Sequence, residues 1–156
     1  MKKVIFYLLL FLGIVLIGFI KVEIGSIPKF LIPAELAIRC GLIAALGGIL
    51  YCLRSVYLNR CVYNRWNAEW EVWYYLRPVT SSISGVVAYL FLKAGLIILN
   101  ASEGATTEGQ FGYLALAFLA GLNVDKFVQR VEEVGKSIFG IDKSRNAKKS
   151  EEEDSQ

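Results

Sequence analysis

The sequence predicts an all-α fold, a four-helix transmembrane bundle with both termini in the cytoplasm. The 156 residues are 55% hydrophobic with a mean hydropathy of +0.48, and the apolar residues are concentrated in four long runs. A small water-soluble fold has no means of burying such runs on all sides. Thirteen Lys and Arg precede the first run, separate the second from the third, or follow the fourth, against two in the other connections. Cytoplasmic loops carry such an excess.

The first two runs predict the first two crossing helices. The first span, about 4–20, follows two lysines and is longer than the apolar core of a secretory signal. No small-residue cleavage site follows it, so we expect an uncleaved signal anchor. Pro28 and Pro33 stop helix propagation in the outer connection. The second span is expected at about 34–53.

The third and fourth runs predict the remaining crossings. The third span is expected at about 80–99, with Pro78 just before its first turn, a permitted place for proline. The fourth, about 111–129, has a short apolar part, 111–124, that also fits a re-entrant segment, but the seven basic residues after this apolar part favour a full crossing. An amphipathic cytoplasmic helix should extend it to about residue 140. Residues 1–142 then form the transmembrane domain, and the charged tail 143–156 is predicted to be disordered.

An aromatic stripe lies in the connection between spans two and three. Its rings follow helical steps of three and four, which predicts an interfacial helix on the inner leaflet. A docking surface for a cytoplasmic partner or a neighbouring subunit is the alternative, because Trp, Tyr and Arg dominate binding hot spots. Both interpretations can hold for different rings. The candidate interface residues, here and on the amphipathic extension, are Trp66, Trp70, Trp73, Tyr74, Arg77, Phe127 and Arg130.

Three charged residues, Glu35, Arg39 and Lys93, fall inside predicted spans at similar depth near the outer end. Glu35 precedes Arg39 by four residues, the favourable helical order for an ion pair. Arg39 and Lys93 can also snorkel to the outer interface without any function. The remaining alternatives are an ion-pair cluster between spans two and three, or a basic ring around an outward vestibule in an oligomer, which would favour anions.

Small residues four apart predict close helix packing in lipid. Four helices leave no room for a pore within one protomer, so any conduction path would need several copies. The pairs are Gly41 and Ala45, Ala44 and Gly48, Ser81 and Gly85, Ser84 and Ala88, and Ala117 and Gly121.

The residue inventory argues against an enzyme, a metal site or a cofactor. The chain has no histidine, which removes the commonest general base and metal ligand, and it has no phosphate-binding loop or nucleophile-elbow motif. Cys40, Cys52 and Cys61 are scattered on the reducing side, which is not a disulfide framework. The basic residues flank the spans, which indicates topology and anionic lipid rather than nucleic acid.

Two short segments carry a resemblance to a known family. The stretch 70–78 (WEVWYYLRP) runs into a small-residue span, and 117–121 (AFLAG) runs into a charged amphipathic helix. Together with the predicted topology, they resemble small four-span membrane proteins of bacterial antiphage defence systems, of the Kiwa membrane subunit (KwaA) type. The resemblance implies a homo-oligomeric membrane platform that senses infection and relays it to a soluble effector.

These observations favour a non-enzymatic, oligomeric sensor or scaffold subunit in the bacterial inner membrane. Its partners would be the lipid bilayer, further copies of the chain and a cytoplasmic protein, because nearly all polar material is on the cytoplasmic side. The alternative is an oligomeric ion channel or pore-forming effector, with Arg39 and Lys93 lining the path.

Overall fold

The computed structural model describes residues 2–26, 28–63, 70–95 and 107–140. Throughout these ranges all regular structure is helical and no strand occurs, which confirms the all-α class. A 3₁₀ turn, Lys29–Ala34, precedes the second α-helix, and a π-helical turn, Leu58–Val62, follows it. The α-helices are α1 (Lys2–Glu23), α2 (Glu35–Tyr57), α3 (Glu71–Lys93), α4 (Thr107–Leu122) and α5 (Val124–Phe139).

Two helical stretches in the described part are long and apolar enough to cross a bilayer, Lys2–Glu23 and Lys29–Val62. The helices Gln110–Leu122 and Val124–Ile138 would add a third only as a broken pair, which fits either an interrupted crossing or a re-entrant segment. The helix α3 is not among the candidates, and its centre carries the hydroxyl residues Thr80, Ser81, Ser82 and Ser84. The helices therefore fit a membrane protein.

The helix α2 is central to a compact unit that ends at Val124, because α1, α3 and α4 all pack against it. On the α1 side the contact is made by side chains: Val15 is buried with Ala45 and Ile49. Most of the remaining α1 surface is apolar and exposed, including Phe6 and Ile17. Such a surface is typical of a helix that faces lipid or another protein.

On its other side, α2 meets α3 and α4 through backbone atoms. A Cβ added at Gly121 would collide with the Ala44 carbonyl oxygen, and one added at Gly47 would lie 2.6 Å from the carbonyl oxygen of Phe118. The buried Ser81 hydroxyl donates a 2.8 Å hydrogen bond to the Gly121 carbonyl. We call Ala44, Gly47, Ser81, Phe118 and Gly121 the glycine junction. The predicted small-residue pairs of α2, α3 and α4 thus pack within one protomer.

The junction also shows where α4 ends. Gly121 touches Ala44 near the middle of α2, and α4 stops one residue later, at Leu122. Asn123 interrupts the helical run, and all of α5 except its first residue belongs to a second compact unit that starts at Asp125. The span expected at 111–129 is therefore divided between two helices.

The start of the third helix differs from the expectation. The helix α3 begins at Glu71, nine residues before the expected span, so Pro78 lies inside it and is buried rather than preceding its first turn. Proline cannot donate to the carbonyl of Tyr74 four residues earlier. The helix ends at Lys93, and Gly95 follows with a φ of 70°, a left-handed conformation typical of a helix terminus. The predicted tail 143–156 lies outside the described residues.

Candidate functional site

Two arginine clusters lie towards opposite ends of α2. The first, the Arg39 cluster, comprises Arg39, Glu35 and Glu23. Arg39 Nη2 lies 2.6 Å from Glu35 Oε1, one helical turn away, and Nη1 lies 3.1 Å from Glu23 Oε2 at the end of α1. The Arg39 side chain is 18% exposed. One guanidinium thus links the last turn of α1 to the first turn of α2.

The Arg39 cluster is an ion-pair cluster, but between different helices from those considered from the sequence. One alternative that the sequence left open was a cluster between spans two and three, with Lys93 as a member. In the structure the second helix is α1, and Lys93 is exposed, with its Nζ 5.6 Å from the Tyr89 ring centroid. Glu23 was missed because it follows the first apolar run. Glu23 and Arg39 lie near the ends of two spans that are joined by a short connection. Their similar expected depth in the membrane could have indicated the pair.

A pocket of about 230 Å³ adjoins the Arg39 cluster. Its wall combines the 3₁₀ turn with the first turn of α2 and one residue of α4. The lining residues are Ile32, Pro33, Glu35, Leu36, Arg39 and Gln110.

The second cluster, the Arg77 cluster, joins α3 to the other half of α2. Arg77 is only 5% exposed, and its Cζ lies 5.0 Å from the Tyr51 ring centroid and 5.4 Å from that of Trp73. Trp73 precedes Arg77 by four residues, so both lie on the same face of α3. Aromatic faces stabilise a desolvated guanidinium by cation–π attraction. The chain therefore holds this charge between rings.

Hydroxyl and amide groups extend the Arg77 cluster. Tyr74 and Ser55 share a hydrogen bond of 3.1 Å between their hydroxyl oxygens. Asn59 Nδ2 donates to the Ser55 hydroxyl at 3.2 Å and to the Tyr74 hydroxyl at 3.3 Å. The end of α2 and the start of α3 are thus fixed to each other by polar contacts.

The expected aromatic stripe needs correction. Tyr74 and Arg77 are buried between α2 and α3, and Trp73 is half-buried, so this part of the stripe packs inside the chain. The helical spacing did predict a shared face, but that face is turned towards α2. Trp70, immediately before α3, is 61% exposed, whereas Trp66 lies outside the described residues.

A π-helical turn beside this cluster is a feature that the sequence did not signal. The Tyr63 amide donates to the Leu58 carbonyl five residues earlier at 2.9 Å. Such turns are rare and often occur at functional sites. A pocket of about 120 Å³ lies along this face, lined by Tyr51, Arg54, Ser55, Leu58, Asn59 and Tyr63.

The amphipathic pattern predicted for the end of the chain forms α5. Arg130 is exposed and its Nη1 lies 2.8 Å from Glu133 Oε2, an ion pair within the helix. Phe127 is partly exposed on the same helix. Both residues remain candidates for a contact with another molecule.

The cysteines and carboxylates of the described part form no metal-binding group of three or more ligands. Cys40 and Cys52 are buried and Cys61 is exposed, and all three are free thiols. In comparisons with known proteins, the chain matches no family model, no curated protein and no solved structure. The functional argument therefore depends on the residues alone.

Proposed function

We propose that this chain is a non-enzymatic sensor or scaffold subunit of the bacterial inner membrane. It crosses the membrane four times with both termini in the cytoplasm, assembles with further copies, and relays a membrane signal to a cytoplasmic protein. Antiphage defence is the process that we propose for it, since the resemblance of 70–78 and 117–121 points there.

The exposed aromatic residues between α2 and α3 carry this proposal. Tyr57, Tyr63 and Trp70 are all exposed, and they flank the same connection in the chain. The Arg77 cluster fixes the two helix ends beside them. Large aromatic rings on a rigid support are the residues that dominate binding hot spots. The connection predicted between spans two and three also carries four of the basic residues, a pattern that favours the cytoplasmic side.

Pairing of Arg39 favours a scaffold over a channel. A basic ring that attracts anions needs cationic groups open to the path. Arg39 instead contacts two carboxylates, so its charge is compensated within the protomer. A channel would therefore have to depend on Lys93.

A pull-down with membrane-inserted variants tests the scaffold. We expect Trp70→Ala combined with Tyr63→Ala to release a co-purifying cytoplasmic protein from the native host. Phe30→Ala is the control, because Phe30 is an aromatic residue that is at least as exposed (78%) as Trp70 and Tyr63 and lies in the other connection of α2. Both variants should stay in the membrane fraction. If the native chain brings down only itself, the scaffold proposal fails.

Planar-bilayer recording tests the channel. We expect no current from the purified chain. A current that disappears in Lys93→Ala and persists in Lys21→Ala would contradict the scaffold proposal and support a channel.

A further inference from the structure

We propose that the pocket along the π-helical turn binds the phosphate of an anionic phospholipid in the inner leaflet. We call this pocket, lined by Tyr51, Arg54, Ser55, Leu58, Asn59 and Tyr63, the π-turn pocket. The inference needs the chain to be inserted in a membrane, but it does not need the cytoplasmic partner.

The lining of the π-turn pocket is suited to an anion. Arg54 supplies a guanidinium, and the hydroxyl groups of the wall supply further hydrogen-bonding groups. None of the described residues that line it is acidic. A phosphate accepts hydrogen bonds at its oxygens, and Arg binds it in a bidentate manner.

The hydrogen-bond network behind the pocket fixes part of its wall. Ser55 and Asn59 bond to each other and to Tyr74, so their positions are set by α3. Arg77 lies across the Tyr51 ring, 5.0 Å from its centroid. The guanidinium of Arg77 thus contacts the aromatic wall, and the Arg54 side chain is exposed.

The volume agrees with a phosphate group. About 120 Å³ is room for several water molecules. A phosphate group has five heavy atoms, so it can enter the pocket while its ester chains remain outside. A larger headgroup would have to extend from the exposed edge.

The depth of Arg54 in the membrane indicates that the phosphate belongs to a lipid. Arg54 is 19 residues after Glu35, which spans about 28 Å at about 1.5 Å per residue. The hydrocarbon core of a bilayer is about 30 Å thick. With Glu35 at the outer boundary, Arg54 lies at the level of the inner headgroups, where anionic lipids attract basic residues.

Native mass spectrometry of the full chain in detergent tests this binding. We expect dioleoylphosphatidylglycerol to remain bound more strongly than dioleoylphosphatidylcholine, because the choline cation of the latter competes with Arg54 for the phosphate. Arg54→Gln should weaken phosphatidylglycerol binding about five- to tenfold. Arg54→Lys should fall between, since it keeps the charge and loses the bidentate geometry.

Arg60→Gln is the matched control, because Arg60 belongs to the π-helical turn but does not line the pocket. It should change binding less than twofold. The thermal unfolding of each variant, followed by circular dichroism, checks that the fold is kept.

Three results would overturn the proposal. These are equal binding of the two lipids, an equal loss in Arg60→Gln and Arg54→Gln, and displacement of phosphatidylglycerol by inorganic phosphate at matched concentration. The last would assign the pocket to a free phosphate compound instead of a lipid. None of them bears on whether a cytoplasmic protein co-purifies, so the scaffold proposal is tested separately.

Discussion

The two faces of α2 are built on different principles. Towards α3 and α4, backbone approaches backbone at the glycine junction, and a buried hydroxyl bonds to a carbonyl across it. Towards α1, apolar side chains meet and an ion pair joins Glu23 to Arg39 at the end. On the face towards α3 and α4, a single added atom would clash, whereas the face towards α1 tolerates changes of side chain. We therefore expect α2, α3 and α4 to unfold as one body and α1 to detach first.

The strongest test of this difference is a methyl group at the junction. Gly121→Ala would place its Cβ against the Ala44 carbonyl, and only backbone movement relieves that. We expect a loss of about 1–3 kcal/mol in the free energy of unfolding, typical of overpacking. Gly13→Ala is the control on α1, where nothing lies within 4 Å of the added Cβ. It should leave stability unchanged or raise it, as measured by denaturant titration in micelles. Equal losses in the two variants would refute the difference.

The next effect concerns the buried arginine. Arg77→Ala removes the cation between Tyr51 and Trp73 and leaves a cavity between α2 and α3. We expect a loss of about 2 kcal/mol in the free energy of unfolding. The fluorescence of Trp73 should shift to longer wavelength as water enters. An unchanged emission spectrum in the folded variant would show that the rings do not depend on the guanidinium.

A smaller effect is expected from the hydroxyl at the junction. Ser81→Ala removes the hydrogen bond to Gly121 without adding volume. Interhelical side-chain hydrogen bonds in membranes contribute about 0.6 kcal/mol on average. Thr80→Ala, which alters an exposed hydroxyl bonded within its own helix, is the comparison. A loss above about 2 kcal/mol for Ser81→Ala would mean that this bond, rather than glycine packing, holds the junction.

The smallest effect belongs to the α1 face. Glu23 is 58% exposed, so its pair with Arg39 is screened by water and salt. We expect Glu23→Gln to cost less than about 1 kcal/mol, and the difference from the native chain should vanish at high salt. Thermal unfolding at two ionic strengths measures it. A salt-independent loss would show that Glu23 acts by packing instead of charge.

The sequence predicted the features that follow from solvent and from periodicity. The all-α class, the approximate positions of α1 and α2, and the junction residues Ala44, Ser81 and Gly121 can be read from hydropathy and spacing, whereas Gly47 was not predicted. Helical spacing also placed Trp73 and Arg77 on one face of a helix.

Features that depend on contacts between two distant segments of the chain could not be predicted from hydropathy or spacing. Spacing identifies a face of α3 but not what it packs against, so Tyr74 and Arg77 were expected on an interfacial or docking surface and are buried instead. The partner Glu23 of Arg39 lies in another helix. No proline forces the break at Asn123 or the π-helical turn, and Gly121, two residues before the break, is still helical.

Insertion in the membrane, with the basic connections in the cytoplasm, underlies every proposal above. Cys61 tests it directly, because it is exposed at the π-helical turn while Cys40 and Cys52 are buried. Intact spheroplasts and lysed membranes would be treated with a membrane-impermeant maleimide, and the labelled residue identified by mass spectrometry. The account predicts labelling of Cys61 only after lysis. Labelling of Cys61 in intact spheroplasts would contradict it.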